Sequence, residues 1–237
     1  MRTQDIMEMG ILDMIYVIGD SNVFVFVDNK EFDVRHIGPI TAHNLNKIRP
    51  GNMTTAGTKI FGQVGYTGLI NTVNKENDSI MLVFGEIDCR IHIYYQFMKR
   101  NYNKVDSKKC TITELIDNTI HNYGIVMKQL ADMNIKFYIC GIPPPGCEKN
   151  IYNYLWYATP EIHSKIYREF NHRLKNFCEQ KSYRYLDIYS KIVDQDGFMK
   201  KEYAEDCVHL NNKALPFIVD MIKSYGSQFK YNANIEK

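Results

Sequence analysis

The sequence predicts a single α/β domain built on a doubly wound parallel sheet. Short apolar runs rich in β-branched residues recur along the chain, each ending in glycine, proline or small polar residues. A helix or an irregular crossover follows each run, which is the pattern of parallel strands joined by crossovers. No linker or repeat divides the 237 residues, a length that suits one domain with a substantial core.

The first run, Met14 to Ile18, opens into Gly19-Asp20-Ser21-Asn22. A buried strand that ends this way presents a side chain at the carboxyl edge of a sheet, where α/β proteins bind ligands. Val23 to Val27 fits either a short helical turn or a strand edge. Phe32 to Ile37 alternates apolar and polar residues as a half-exposed strand does, and runs through Gly38-Pro39 into a helix expected over Ala42 to Ile48. Residues 49–58 read as a loop, 61–72 as a helix interrupted by glycines, and 74–78 as an exposed turn.

Ser79 to Phe84 is the clearest buried strand and ends in Gly85-Glu86-Ile87-Asp88-Cys89-Arg90-Ile91-His92. The basic, aromatic stretch 94–109 fits a lid or a helix with a loop. Thr111-x-x-Glu114 is a capping-box pattern opening a helix to about Met133, with Leu115, Ile116, Ile120, Ile125 and Leu130 near one face. Ile135 to Ile142 is the fourth strand, stopped by Pro143-Pro144-Pro145-Gly146. Thr159-Pro160-Glu161 starts a helix to about Gln180, with threonine as cap. Tyr183 to Tyr189 reads as the fifth strand. A last helix spans about Asn212 to Tyr225, and residues 1–10 and 226–237 read as peripheral tails.

Hydrophobic residues at 45% and charged residues at 24% are ordinary for a soluble domain. A net charge of +2 gives no electrostatic basis for nucleic-acid or anionic-membrane partners. The six cysteines form no Cys-x-x-Cys pair, so they suggest no metal site and point to a reducing compartment. With no signal peptide and no apolar run of membrane-spanning length, a cytoplasmic location is expected.

Asp206 and His209 stand three apart just before a helix capped by Asn211 or Asn212. In such a turn the carboxylate reaches Nδ1 of the imidazole, fixes its tautomer and frees Nε2 to take a proton from a hydroxyl. The loops after the first and last strands both open on the carboxyl edge. Ser21 is therefore the expected nucleophile, giving a triad of Ser21, His209 and Asp206. Read separately, Gly-Asp-Ser is also an ordinary turn and Asp-x-x-His an ordinary helix cap. Their pairing favours chemistry.

Gly19-Asp20-Ser21 near the start, with Asp206-x-x-His209-Leu210-Asn211 near the end, resembles the SGNH, or GDSL-like, hydrolase family over nearly the whole chain. The resemblance implies a flavodoxin-like three-layer α/β/α sandwich with a five-stranded parallel sheet of order 2-1-3-4-5. It implies hydrolysis or transfer of acyl esters without a cofactor or metal. It also implies oxyanion donors from the serine amide, a glycine amide after the second strand and an asparagine after the third. The glycine matches Gly38, with Gly57 and Gly62 as weaker matches. The asparagine is missing, because Gly85-Glu86-Ile87-Asp88 stands where the family has Gly-x-Asn-Asp.

Isoleucine donates nothing, and one lost oxyanion donor costs about two to three powers of ten in rate. Arg90, with His92 as another neighbouring donor, is the candidate replacement, and Glu86, Asp88 and Arg90 are assigned to the oxyanion and substrate region. Alternatively these three form a local network that shapes the loop. The third block also resembles a branch associated with surface-glycan genes, which points to a sugar-borne ester. The aromatic group Tyr152, Tyr154, Trp156 and Tyr157 fits stacking on sugar rings or a cap on the core. His36 fits shaping of the site and His43 a helix surface, while His121, His163 and His172 fit structural or solvated positions.

The expected activity is that of an esterase or O-acyltransferase acting on a small-molecule or glycan ester, O-acetyl in particular. The alternative is a non-catalytic module that binds a sugar or partner protein through the same cleft. A flavodoxin-like nucleotide binder is disfavoured because no Gly-rich phosphate cradle follows the first strand.

Overall fold

The computed structural model describes residues 14–46, 60, 68–102, 109–146 and 157–232. Five parallel strands, β1 (Ile15–Gly19), β2 (Phe32–His36), β3 (Ser79–Val83), β4 (Lys136–Cys140) and β5 (Arg184–Leu186), lie in the order 2-1-3-4-5. The order reverses beside β1, so the ends of β1 and β3 meet the crevice where such sheets bind ligands. The long helices are α1 (Ile93–Tyr102), α2 (Ile112–Asp132), α3 (Pro160–Gln180) and α5 (Leu215–Asn232), with a short α4 at Ile188–Ile192.

Strand alternation sorts the core into two layers. Ile18, Ile80, Leu82, Phe137 and Ile139 face one side, against Ile116, Ile120 and Tyr123 of α2 and Tyr167, Phe170 and Leu174 of α3. Val17, Met81, Val83, Tyr138 and Cys140 face the other, against Ile188 and Ile192 of α4 and Ile218 of α5. Strands buried on both faces explain the unbroken apolar runs in the sequence.

The expected capping box is formed. The Thr111 hydroxyl accepts from the Glu114 amide, and the Glu114 carboxylate accepts from the Thr111 amide at 2.7 Å. Several boundaries differ from expectation. Ile125 is 37% exposed, because at 100° per residue it falls well away from the stripe set by Leu115, Ile116 and Ile120. The fifth strand stops at Leu186, since the Asp187 side chain accepts from the Ser190 amide and starts α4. Thr159 is the extended residue before α3 but makes no side-chain cap, leaving Pro160 in the first turn to mark the start. The final helix runs to Asn232 rather than ending near Tyr225. The lone Gly226 is a weak breaker, costing about 1 kcal/mol relative to alanine.

Ser21–Phe26 and Ala42–Asn44 are 3-10 turns, and 94–109 supplies α1 in its first part. The expected loop over 49–58, most of the helix over 61–72, Gly57, Gly62, Cys147, Tyr152, Tyr154 and Trp156 lie outside the described residues. The other five cysteines carry free thiols. Among the described residues, no helix is long and apolar enough to cross a membrane.

Candidate active site

Ser21 is delivered by the end of β1. A Cβ on Gly19 would lie 2.2 Å from the Val83 carbonyl oxygen and 2.8 Å from Cγ1 of Val23, so only glycine lets β1 pass β3 into the turn. Asp20 then caps the short 3-10 helix. Its Oδ1 accepts from the Asn22 amide at 2.9 Å and from Asn22 Nδ2 at 3.1 Å, while its carbonyl accepts from the Val23 amide at 3.1 Å. Ser21 is the first residue of that helix, where the backbone N–H has no intrahelical partner.

The loop carrying Asp206 and His209 is a tight turn closed by an antiparallel bridge between Ala204 and Leu210. Inside it the Glu205 amide donates to the His209 carbonyl at 2.9 Å, and Asp206 Oδ1 accepts from the Val208 and His209 amides at 2.8 Å each. Asn211 locks the base of the turn. Its Nδ2 donates to the carbonyls of Glu202 and Ala204, and its Oδ1 accepts from the Lys213 amide. The turn rests on the segment that follows β4, where the Gly146 amide donates to the Cys207 carbonyl at 2.9 Å. A Cβ at Gly146 would come within 2.4 Å of Cys207 Cα. The sequence marks Gly146 only as a strand stop, since a contact 61 residues away leaves no local pattern.

These two loops bring three side chains into line. Ser21 Oγ is 2.8 Å from His209 Nε2, and His209 Nδ1 is 2.8 Å from Asp206 Oδ2. A carboxylate only accepts, so Nδ1–H donates to Asp206 and Nε2 is left to accept from the serine hydroxyl. This arrangement can draw a proton off Ser21 and hold the resulting imidazolium.

The β1–β2 ladder brings Gly38 to the same edge of the sheet as Ser21: Gly19 pairs with His36, and the Ile37 amide donates to the Gly19 carbonyl at 3.0 Å. Its φ of +99° is one that residues with a Cβ rarely adopt.

The third block lies behind the serine, mostly buried. Arg90 donates from Nε to Glu86 Oε1 at 2.7 Å and from one terminal nitrogen to Oε2 at 3.3 Å. Tyr167 of α3, which no local pattern singles out, donates its hydroxyl to Glu86 Oε1 at 2.8 Å. Arg90 is one of the charges acting on Cys207, and the electrostatics of Arg90 and Asp20 are linked. Asp88 does not meet Arg90. Fully buried, it accepts from the Ala42 amide at 2.6 Å and the His43 amide at 3.2 Å, pinning the loop that follows Gly38.

Burial strongly shapes this acid cluster. Asp20 is pushed up to about 6, first by desolvation and then by the nearby Glu86 charge, against the opposing Asn22 hydrogen bonds and the His209 charge. Asp88 is pushed up to about 7 by desolvation, opposed by the His43 and Ala42 amides. Since its folded pKa exceeds the unfolded value of 3.8, the stability linked to Asp88 protonation is full below about pH 3.8. It is lost as pH rises through about 7. Asp88→Asn cannot ionise, so its stability deficit against wild type should shrink between pH 5 and pH 8. Urea unfolding at both pH values checks this, and a deficit that widens contradicts it.

The histidines divide. His36 is exposed at the end of β2 with its ring 4.9 Å from that of Phe24. The rings of His43 and His92 lie 5.0 Å apart and inclined by 37°, and both line a small cavity of about 200 Å³ between α1 and α2 rather than the Ser21 cleft. His163 is buried in α3, and desolvation pushes it down to about 4, so it is neutral near pH 7. Tyr157 is 44% exposed and its ring lies 5.3 Å from that of Tyr95. Among the described residues, no group of His, Cys, Asp and Glu could hold a metal ion.

Ser21 and His209 open on a cleft of about 690 Å³, also lined by Asn22, Phe24, Val25, Glu205, Leu210, Asn211, Asn212 and Lys213. Gly38, Glu86, Asp88 and Arg90 are not on that lining. Glu86 and Asp88, both expected in the substrate region, are buried, Glu86 against Arg90 and Tyr167 and Asp88 on the Ala42 and His43 amides.

Comparison with known proteins gives the relationships. The family model for GDSL-like lipase/acylhydrolase matches residues 15–222. No curated protein sequence matches. Among solved structures, a GDSL-like lipase from Bacteroides thetaiotaomicron aligns with a TM-score of 0.56 at 12% identity, covering 91% of this chain and 88% of that one. The acetyl xylan esterase AlAXEase aligns at 0.51 and 14%, covering 90% and 99%. The M. smegmatis aryl esterase aligns at 0.50 and 12%, covering 92% and 99%. At these identities the structures speak for the fold, while the family model spans most of the sequence. The chain belongs to the GDSL-like lipase/acylhydrolase family.

Proposed function

We propose that this hydrolase-family chain is a serine esterase or O-acyltransferase acting on a short acyl ester, O-acetyl in particular, borne by a glycan or activated sugar. The observation that carries the reading is the continuous hydrogen-bonded line from Ser21 through His209 to Asp206. Ser21 Oγ attacks the acyl carbon while His209 Nε2 takes its proton. The tetrahedral oxyanion is received by the Ser21 amide and the Gly38 amide. His209 then returns the proton to the departing alcohol, leaving an acyl-serine. Water, or a second hydroxyl in the transferase case, attacks that acyl group with His209 again as base. Asp206 holds the ring in the tautomer both steps need.

The third oxyanion donor is open to Arg90, and the geometry favours a second role. Two of its nitrogens are engaged by buried Glu86, so removing it strands a carboxylate. Breaking a buried pair costs about 3–5 kcal/mol, or roughly 10 °C in Tm for a chain of this size. Arg90→Ala is therefore expected to melt about 10 °C lower. If Arg90 also receives the oxyanion, kcat falls by about two to three powers of ten with KM little changed. A kcat near wild type in the folded protein assigns it to loop-holding alone.

A non-catalytic binding module is favoured by one observation, the Ile87 that leaves the oxyanion region without its asparagine. Turnover of p-nitrophenyl acetate by wild type but not Ser21→Ala, followed by a panel of O-acetylated sugars, supports the esterase. Binding of those sugars without any turnover supports the module.

A further inference from the structure

Phe24 is the unusual residue of the cleft. A 3-10 helix has three residues per turn, so side chains at i and i+3 eclipse, and Phe24 stands one turn, about 6 Å, directly along from Ser21. Its neighbours Val23, Val25 and Phe26 are buried, whereas Phe24 is 54% exposed and lines the same cleft as Ser21 and His209. An isolated exposed apolar side chain is common and says nothing by itself. Here the ring is also propped by His36 across the β1–β2 edge, 4.9 Å between centroids and inclined by 52°. The rest of the cleft is not an acyl tunnel. It is an open trough whose rim carries exposed Glu205, Asn212 and Lys213.

A flat apolar face beside polar side chains suits a ligand with both kinds of surface. A pyranose has them: C–H bonds on its faces and hydroxyls around its edge. We propose that Phe24, supported by His36, is the platform on which the pyranose ring of the substrate stacks, with Glu205, Asn212 and Lys213 taking its hydroxyls. This deepens the esterase reading and rests on it for the ester, but not for the ring. A plain acyl chain, or an aryl group without polar substituents, would leave the polar rim unused.

The test uses mono-O-acetylated methyl hexopyranosides as probes and ethyl acetate as the ringless control. With Ser21 intact, the ratio of kcat/KM for the pyranosides over ethyl acetate should fall about tenfold in Phe24→Ala and recover in Phe24→Trp. An unchanged ratio overturns the proposal, because a residue that merely positions Ser21 would slow both substrates alike. In the Ser21→Ala background the same pyranosides are titrated by NMR, where Phe24→Ala should weaken binding about tenfold. If wild type turns over no ester yet binds the pyranosides through Phe24, the esterase reading fails and the platform stands. Absence of pyranoside binding, or binding indifferent to Phe24→Ala, removes the platform.

Discussion

Ser21→Ala is expected to lose roughly four to six powers of ten in turnover of short acyl esters, and His209→Ala about as much. The two side chains meet at 2.8 Å, and neither does useful work without the other. Without the hydroxyl no acyl-serine forms, and without the imidazole the hydroxyl keeps its proton. The double variant should therefore be little slower than either single one, since residues acting as a unit are not additive. Both side chains sit at a partly exposed cleft rather than in the core, so the variants should fold with near-wild-type melting. Steady-state rates on p-nitrophenyl acetate check this. Near-normal turnover in Ser21→Ala contradicts it, as does a double variant slower by the product of the two single losses.

Asp206→Asn should cost about four powers of ten in kcat while leaving the fold intact. The wild-type carboxylate accepts hydrogen bonds from the Val208 and His209 amides and from His209 Nδ1. An asparagine can keep its oxygen on the two amides, which preserves the turn, but then points an NH₂ group at Nδ1. Two donors cannot face each other, so the imidazole is driven to the tautomer with its proton on Nε2 and can no longer accept from Ser21. Circular dichroism and Tm should stay near wild type while kcat collapses. More than a tenth of wild-type kcat retained in a folded Asp206→Asn protein argues for a different base.

The strands were legible because burial on both faces leaves unbroken apolar runs such as Ser79–Val83, and α2 because its capping box is a local signal. Ser21, Asp206 and His209 were legible for the same reason: each sits in a short motif whose spacing reflects local geometry. What the sequence concealed is contact made across the fold. Tyr167 reaches Glu86 from 81 residues away, and Asn171 bonds both the amide and the carbonyl of Ile142, fastening α3 to the end of β4. Nothing near Tyr167 or Asn171 in the chain marks either role. Phe24 belongs to an apolar run that fits either a turn or a strand. Only the three-residue period of a 3-10 helix separates its exposed ring from the buried side chains around it.

An activated Ser21 nucleophile should react with an active-serine phosphonate. Wild-type protein, Ser21→Ala and His209→Ala are incubated with a fluorophosphonate, and intact and peptide masses are recorded. One adduct is expected on wild type, located on Ser21, with none on Ser21→Ala and labelling slowed by orders of magnitude in His209→Ala. Folded wild-type protein that takes up no phosphonate, or that carries it on a residue other than Ser21, would show that Ser21 is not the nucleophile.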